Sequence, residues 1–326
     1  MKRETSRRQW LAHAAGSAAV ALGAGSVSAG PLSPMSSPSG ARGDVAGNPF
    51  TFCLNTSTIR GQKLTIVQEI EIAAKAGYQA IEPWTSELQQ YTDAGGNFAD
   101  LRKRIEDAGL RVPSAIGFCE WIVDDDGRRK KALEVARRDM DMVRQIGGAR
   151  IAAPPVGATK QTDLSLLRAA ERYRALAEVG ARLGVVPQVE MWGFSTTLGR
   201  LGEAALVALE SGHPQACVLA DVYHLHKGGS GLGGMRLLSG AALHVFHMND
   251  YPAQPARAEL TDAHRIYPGD GVAPLPQLMR EMRQAGFRGV LSLELFNRDY
   301  WKQDALQVAR TGLEKMRAVA RRSLEG

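Results

Sequence analysis

From residue 50 onward the chain alternates short apolar runs with long amphipathic segments, and that alternation leaves few folds open. The runs are TFCLN (51–55), QAIEPW (79–84), RVPSAIGF (111–118), RIAAPP (150–155), VVPQVEM (185–191), ACVLADV (216–222), ALHVFHM (242–248) and GVLSLELF (289–296). Strands that are apolar on both faces belong to a parallel sheet covered on both sides. Segments such as LTIVQEIEIAAKAGY and LSLLRAAERYRALAEVGARLG read as the covering helices. Several close on a glycine suited to a helix C-cap, at Gly77, Gly109, Gly147, Gly184 and Gly286. Eight strands and seven or eight helices predict a single (β/α)8 TIM barrel over residues 50–326, the least regular helix being the sixth, after GGSGLGG at 228–234. An open doubly wound sheet is the alternative, but no GxGxxG follows the first strand. A chain of 326 residues suits one such barrel.

The first 49 residues read differently. SRRQWLAHAAGSAAVALGAGSVSAG has paired arginines, a mild Ala/Gly-rich apolar run too short for a stable membrane span, and a small-residue cleavage pattern ending at Ala29. Residues 1–29 therefore predict a twin-arginine-type export signal, and with it the export machinery as a partner and a periplasmic or extracellular location. Residues 30–49, GPLSPMSSPSGARGDVAGNP, read as a disordered linker. Lys2, Arg3, Arg7 and Arg8 against Glu4 supply half of the formal charge of +6. The remainder is too dilute to argue for a nucleic-acid partner. Cys53, Cys119 and Cys217 are an odd count inside or beside apolar runs and read as small buried hydrophobes.

A barrel of this kind carries its site at the C-terminal ends of its strands. The fifth run ends near Glu190, and the sixth ends in Asp221, followed by Tyr223, His224 and His226. The seventh ends near His247, followed by Asn249 and Asp250, and the eighth holds Glu294. Strand alternation puts Gln188 with Glu190, Leu219 with Asp221, Val245 with His247 and Ser292 with Glu294 on shared faces. Three carboxylates converging on one point repel one another. A single divalent ion among Glu190, Asp221, His247 and Glu294 removes the repulsion, and the mixed oxygen and nitrogen donors suit Mn2+, Mg2+, Co2+ or Zn2+. Singly, each residue fits a plainer role, such as a helix N-cap or a satisfied core histidine. Jointly, on four consecutive strands, they point to a metal site. The seventh run is followed by HMNDYPAQPARAELTDAHRIYPGDG (247–271), about twenty residues before the next helix, and connections of that length are often functional. It reads as an active-site loop that begins at His247 and returns Arg265 to the pocket; a salt bridge of Arg265 with Asp262 or Asp270 is the alternative.

Residues 50–320 resemble the xylose-isomerase-like barrel family of sugar isomerases and epimerases, most closely its 2-keto-myo-inositol isomerase branch. The matching stretches are FCLNTST, IEPWT, VEMWG, LADVYHLH, HMND, RIYPGDG and SLELFNRDYW. The resemblance implies that Glu190, Asp221, His247 and Glu294 bind one divalent metal ion. It further implies that His224 and Arg265 contact the substrate, with Glu82 and Trp84 on the pocket wall. The expected activity is isomerisation or epimerisation of a keto sugar or inosose-like keto-cyclitol by proton transfer through a metal-stabilised enediolate, with Glu190 and Glu294 as the proton-transfer groups. The chain departs from the family pattern in its export signal, in the Gly-rich HKGGSGLGG connection, and in Trp192 and Phe194 after the fifth run.

Three other functions fit parts of this pattern. The same enediolate could expel a group from the β carbon, making the protein a lyase or dehydratase of keto-glycosides or keto-inositols. Cleavage of abasic DNA at a trinuclear zinc site needs more ligands and a basic groove, and seven histidines with weak charge count against it. A non-catalytic sugar-binding module would be marked by a missing ligand, and none is missing. Asp124, Asp125 and Asp126 read as a helix cap, and Glu120 with Trp121 as pocket lining. A homo-oligomer is compatible with the sequence.

Overall fold

The structure, a computed structural model, describes residues 49–325. The expected signal and linker fall on residues outside that range, apart from Pro49. Seven strands, β1 (Thr51–Asn55), β2 (Ala80–Glu82), β3 (Arg150–Ala153), β4 (Val186–Glu190), β5 (Val218–Asp221), β6 (Leu243–Met248) and β7 (Val290–Leu293), form one sheet in the order β2-β1-β7-β6-β5-β4-β3. Every pairing is parallel. The third predicted strand is not regular. Residues 111–118 instead close the gap between β2 and β3 through single parallel bridges, Ala80 to Arg111, Trp84 to Ile116 and Ala115 to Ile151. Pro113 sits within this run and has no N–H to give to a ladder. The Ala115 amide donates to Arg150 at 3.1 Å and the Ile116 amide to Pro83 at 2.9 Å, so the segment still joins both neighbours and the sheet curls into a TIM barrel.

The covering helices are α1 (Ile66–Ala76), α2 (Thr85–Asp93), α3 (Phe98–Asp107), α4 (Asp126–Gln145), α5 (Leu166–Leu183), α6 (Leu201–Glu210), α7 (Val222–Lys227), α8 (Leu275–Gln284) and α9 (Ala305–Leu324). Gly184, at φ 72°, ends α5 in the left-handed region, where a side chain is unfavourable. Asp125 caps α4 by accepting from the Arg128 amide. The connection after β5 has only the six-residue α7 and a 3-10 turn over Leu232–Leu237, because glycines across 228–234 disfavour a longer helix. Outward-facing strand residues such as Phe52, Leu54, Phe246 and Leu293 join the helices in the main core. Inward-facing Ile116, Ala152, Leu219 and Val245 pack separately, with Trp84 and Val290 against them. That inner plug fills the barrel axis below the mouth and forces the polar residues above it to face one another.

One buried carboxylate lies on a covering helix, α1. Glu69 on α1 is 2% exposed, and burial, with Glu87 nearby, pushes its carboxyl up to about 9 against the pull of Arg60. The folded chain therefore holds a proton that the unfolded chain has released above its ordinary value of 4.5. Folding that binds extra protons loses stability as pH rises, here across the window from 4.5 to about 9. Glu69→Gln is expected to flatten this decline, so that thermal melts from pH 5 to 9 show a smaller drop in Tm for the variant. An unchanged slope would contradict the assignment.

Candidate active site

Four strand ends meet at the mouth of the barrel around the imidazole of His247. Its Nε2 donates to Glu82 Oε2 at 3.1 Å. The same oxygen accepts from Asn55 Nδ2 at 3.0 Å and from Ser292 Oγ at 2.6 Å. All four residues are fully buried. The ring is thus fixed from below, and Nδ1 is turned toward two further carboxylates. Nδ1 lies 3.2 Å from Glu294 Oε2 and 3.9 Å from Asp221 Oδ2, without the alignment of a hydrogen bond. One donor atom from each of Asp221, His247 and Glu294 falls within 4.8 Å of the others. Glu190 falls outside this trio; it pairs in register with Leu219 on β5, two residues before Asp221. Its Oε2 is buried and has no hydrogen-bond partner.

The long connection after β6 does return a cation. Arg265, 1% exposed, donates from Nη1 to Asp221 Oδ2 at 2.9 Å and to Glu294 Oε2 at 2.7 Å, and from Nη2 to Asp262 at 2.6 Å. Nη2 also lies 3.0 Å from His224 Nε2. Both readings of Arg265 meet here, since it reaches the pocket and also pairs with Asp262; Asp270 pairs instead with Lys315. The loop that carries it is pinned by Asp250, whose carboxylate accepts from the amides of Tyr251, Gly269, Gly271 and Ala273. An antiparallel bridge between Asp250 and Ile266 completes the anchor. Asp221 also caps α7 through the His224 amide at 2.8 Å, which sets His224 over the cluster. His224 Nδ1 accepts from the Gly193 amide at 3.2 Å.

Electrostatics separates these groups. Burial raises the carboxyls of Glu82 and Glu294, but His247 outweighs it for both, aided by Ser292 and Arg265 respectively, and each lies below its ordinary value. For Asp221 burial prevails over Arg265, and its carboxyl is raised. Glu190 is pushed up to about 8 by burial, with Glu294 and Asp221 adding to the effect. Burial lowers His247, yet Glu294 and Glu82 together hold it well above the ordinary range. Burial and Arg265 keep His224 neutral. Four carboxyl groups thus face one arginine and one imidazole, too little positive charge for all four to ionise together, and this shortfall, with Oε2 of Glu190 unpartnered, fits a divalent cation.

Other expected positions fall elsewhere. Glu82, read as pocket wall, lies beneath the cluster with Oε2 committed to three partners. Trp84 does stand at the mouth, its Nε1 donating to Asn55 Oδ1 at 3.1 Å. Glu120 and Trp121 do not line the site: Glu120 pairs with Arg128, and Trp121 is buried with its indole N–H on the Pro154 carbonyl. Their run leaves the barrel early because the third strand is irregular. Asn55, which touches Glu82, Glu294 and Trp84, carries no signal in the sequence, and Ser292, which shares a face with Glu294, donates to Glu82. Asn249 was noted but given no role, and it bridges Asp221 and the Tyr223 amide.

The chain is similar to the inosose isomerase of Bacillus velezensis, 24% identical over 271 residues that cover 82% of this chain and 96% of the relative. It is also similar to the 3-dehydroshikimate dehydratase of Pseudomonas putida, 23% identical over 77% of this chain and 39% of that longer relative. Among solved structures, the IolI protein with a bound zinc atom shares the fold at a TM-score of 0.77 and 20% identity, covering 83% of this chain and 98% of its own. The xylose isomerase-like TIM barrel family matches residues 70–319, from α1 into α9, and the chain belongs to that family.

Proposed function

We propose that this chain is a divalent-metal-dependent isomerase or epimerase of a keto sugar or an inosose-like keto-cyclitol, moving a proton between neighbouring carbons through an enediolate. The observation that carries the reading is the meeting of Asp221, His247 and Glu294 donors within 4.8 Å at the barrel mouth, with Arg265 and His224 beside them. Similarity to an inosose isomerase along 82% of the chain supports the substrate class.

Glu190, Asp221, His247 and Glu294 are the residues that would hold the ion, with Glu82 fixing the ring of His247 from behind. Bound there, a divalent ion supplies stabilisation of negative charge on substrate oxygens. The rest of the chemistry belongs to the chain. Glu190 and Glu294 come from strands separated by β5 and β6, so they approach a substrate from different sides. That arrangement lets one take a proton from carbon while the other gives one back. His224, held neutral, would stand beside a substrate oxygen, and the planar fork of Arg265 would orient adjacent oxygens. Residues 1–29, as a twin-arginine-type signal, would deliver the enzyme to the periplasm or beyond.

A second reading rests on the similarity to a 3-dehydroshikimate dehydratase. Proton removal would be the same, but a leaving group on the β carbon would depart with the C–O electron pair and take a proton from the acid. Proton NMR in D2O with metal-loaded protein and a panel of keto sugars, inosose and a phenyl keto-glycoside tests both. Deuterium is expected at the carbon next to the carbonyl, and the product identifies isomerase or lyase. No exchange with any ketone in the panel would overturn both.

A further inference from the structure

The charged cluster occupies only the floor of the mouth. Above it a closed circuit of side chains forms a collar. Phe296 lies 6.0 Å from Trp84, Trp84 4.8 Å from Phe118, Phe118 6.3 Å from Trp192, and Trp192 5.4 Å from Phe194, ring centre to ring centre. Phe194 is 5.8 Å from His224, and Arg265 closes the circuit, 3.0 Å from His224 and 5.0 Å from the Phe296 ring. Five of the seven members are carbon-rich aromatic rings. Phe118 and Phe194 remain 37% and 47% exposed, so apolar ring surface meets solvent within the circuit.

The collar is held rigidly. Trp192 and Phe194 ride on residues 191–200, where the Trp192 amide donates to Leu198 at 2.9 Å and the Ser195 amide to Trp192 at 2.8 Å. The Thr196 amide reaches Thr159 at 2.9 Å, and the Thr197 hydroxyl reaches Gln161 at 2.7 Å. Leu198 is fully buried in the left-handed region at φ 54°, a conformation that persists only where surrounding structure enforces it. Gly193 must lack a side chain, since a Cβ there would come within 2.4 Å of the His224 carbonyl. The loop is therefore clamped directly onto the residue that touches the substrate. Aromatic faces presented at fixed positions above an oxygen-binding floor suit a flat ring with an apolar face.

We propose that the collar is a subsite for a second ring, so that the keto sugar or keto-cyclitol is best accepted when linked to another ring, as in a ring-bearing keto-glycoside. The proposal rests on the function proposed above, yet its test needs no turnover. Binding of phenyl β-D-glucoside, cellobiose and methyl β-D-glucoside to metal-loaded protein is followed by tryptophan fluorescence. Phenyl glucoside is expected to bind at least about tenfold tighter than methyl glucoside, and Phe194→Ala to bring the two within about twofold. Phe194→Tyr keeps the preference. Tightening by cellobiose as well shows that a sugar ring is accepted; tightening by phenyl alone restricts the subsite to aryl groups. Equal affinities in the unaltered protein, or a preference that survives Phe194→Ala, would overturn the proposal. So would a dimer that Phe194→Ala converts to monomer, because a second copy would then cover the collar. Failure of deuterium exchange with tight phenyl glucoside binding would instead count against the chemistry and leave the subsite standing.

Discussion

His247→Ala is expected to leave the barrel mouth without metal and without deuterium exchange, a loss of more than about a thousandfold in rate. Glu294→Gln is expected to do the same. Glu82→Gln is the informative companion, because Glu82 touches the imidazole and not the proposed ion. It should weaken metal affinity or activity by roughly 10–100-fold, the usual cost of losing a residue that orients a ligand. Metal content by elemental analysis, exchange by NMR and folding by circular dichroism separate the three outcomes. Metal retained at full stoichiometry in folded His247→Ala would remove that residue from the ligand set.

Arg265→Ala is the second large effect. The guanidinium is buried against Asp221, Asp262 and Glu294. Removing it strands those carboxylates, and breaking a buried ion pair by deleting one partner typically costs about 3–5 kcal/mol. A bound divalent ion would share that neutralising task, so the loss measured in chelator is expected to exceed the loss measured with metal. Arg265→Lys is not expected to rescue activity. An ammonium is a single point of charge, whereas Arg265 spans Asp221 and Glu294 with Nη1 while Nη2 reaches Asp262 and His224. Chemical denaturation with and without EDTA, together with exchange assays of both variants, tests the pair. Equal destabilisation with and without metal would argue that ion and guanidinium do not share the same carboxylates.

Much of this architecture is visible in the chain because it is local. Continuous apolar runs ending in a carboxylate or an imidazole mark β4 to β7, and the length of the 247–271 connection marks Arg265. The irregular third strand was harder: RVPSAIGF has strand composition, and only Pro113 hints that its ladder is broken. The contacts of Glu82 are illegible for a different reason. Its partners Asn55, His247 and Ser292 lie 27, 165 and 210 residues away in sequence, so nothing beside it shows that its oxygen faces inward. The collar is likewise assembled from six separate segments, and Phe118 and Phe296 carry no signal in the chain itself.

Glu82 Oε2 joins the ends of β1, β2, β6 and β7 in one knot. A replacement there would disturb the chemistry and loosen the ring of strands at once, so drift at this position is penalised twice. The aromatic residues of 191–200 hold no strand to another, and their rings can be exchanged without touching the knot. Over many generations such a molecule can change what it accepts while keeping how it reacts, since the two properties are written in parts of the chain that bear different mechanical loads.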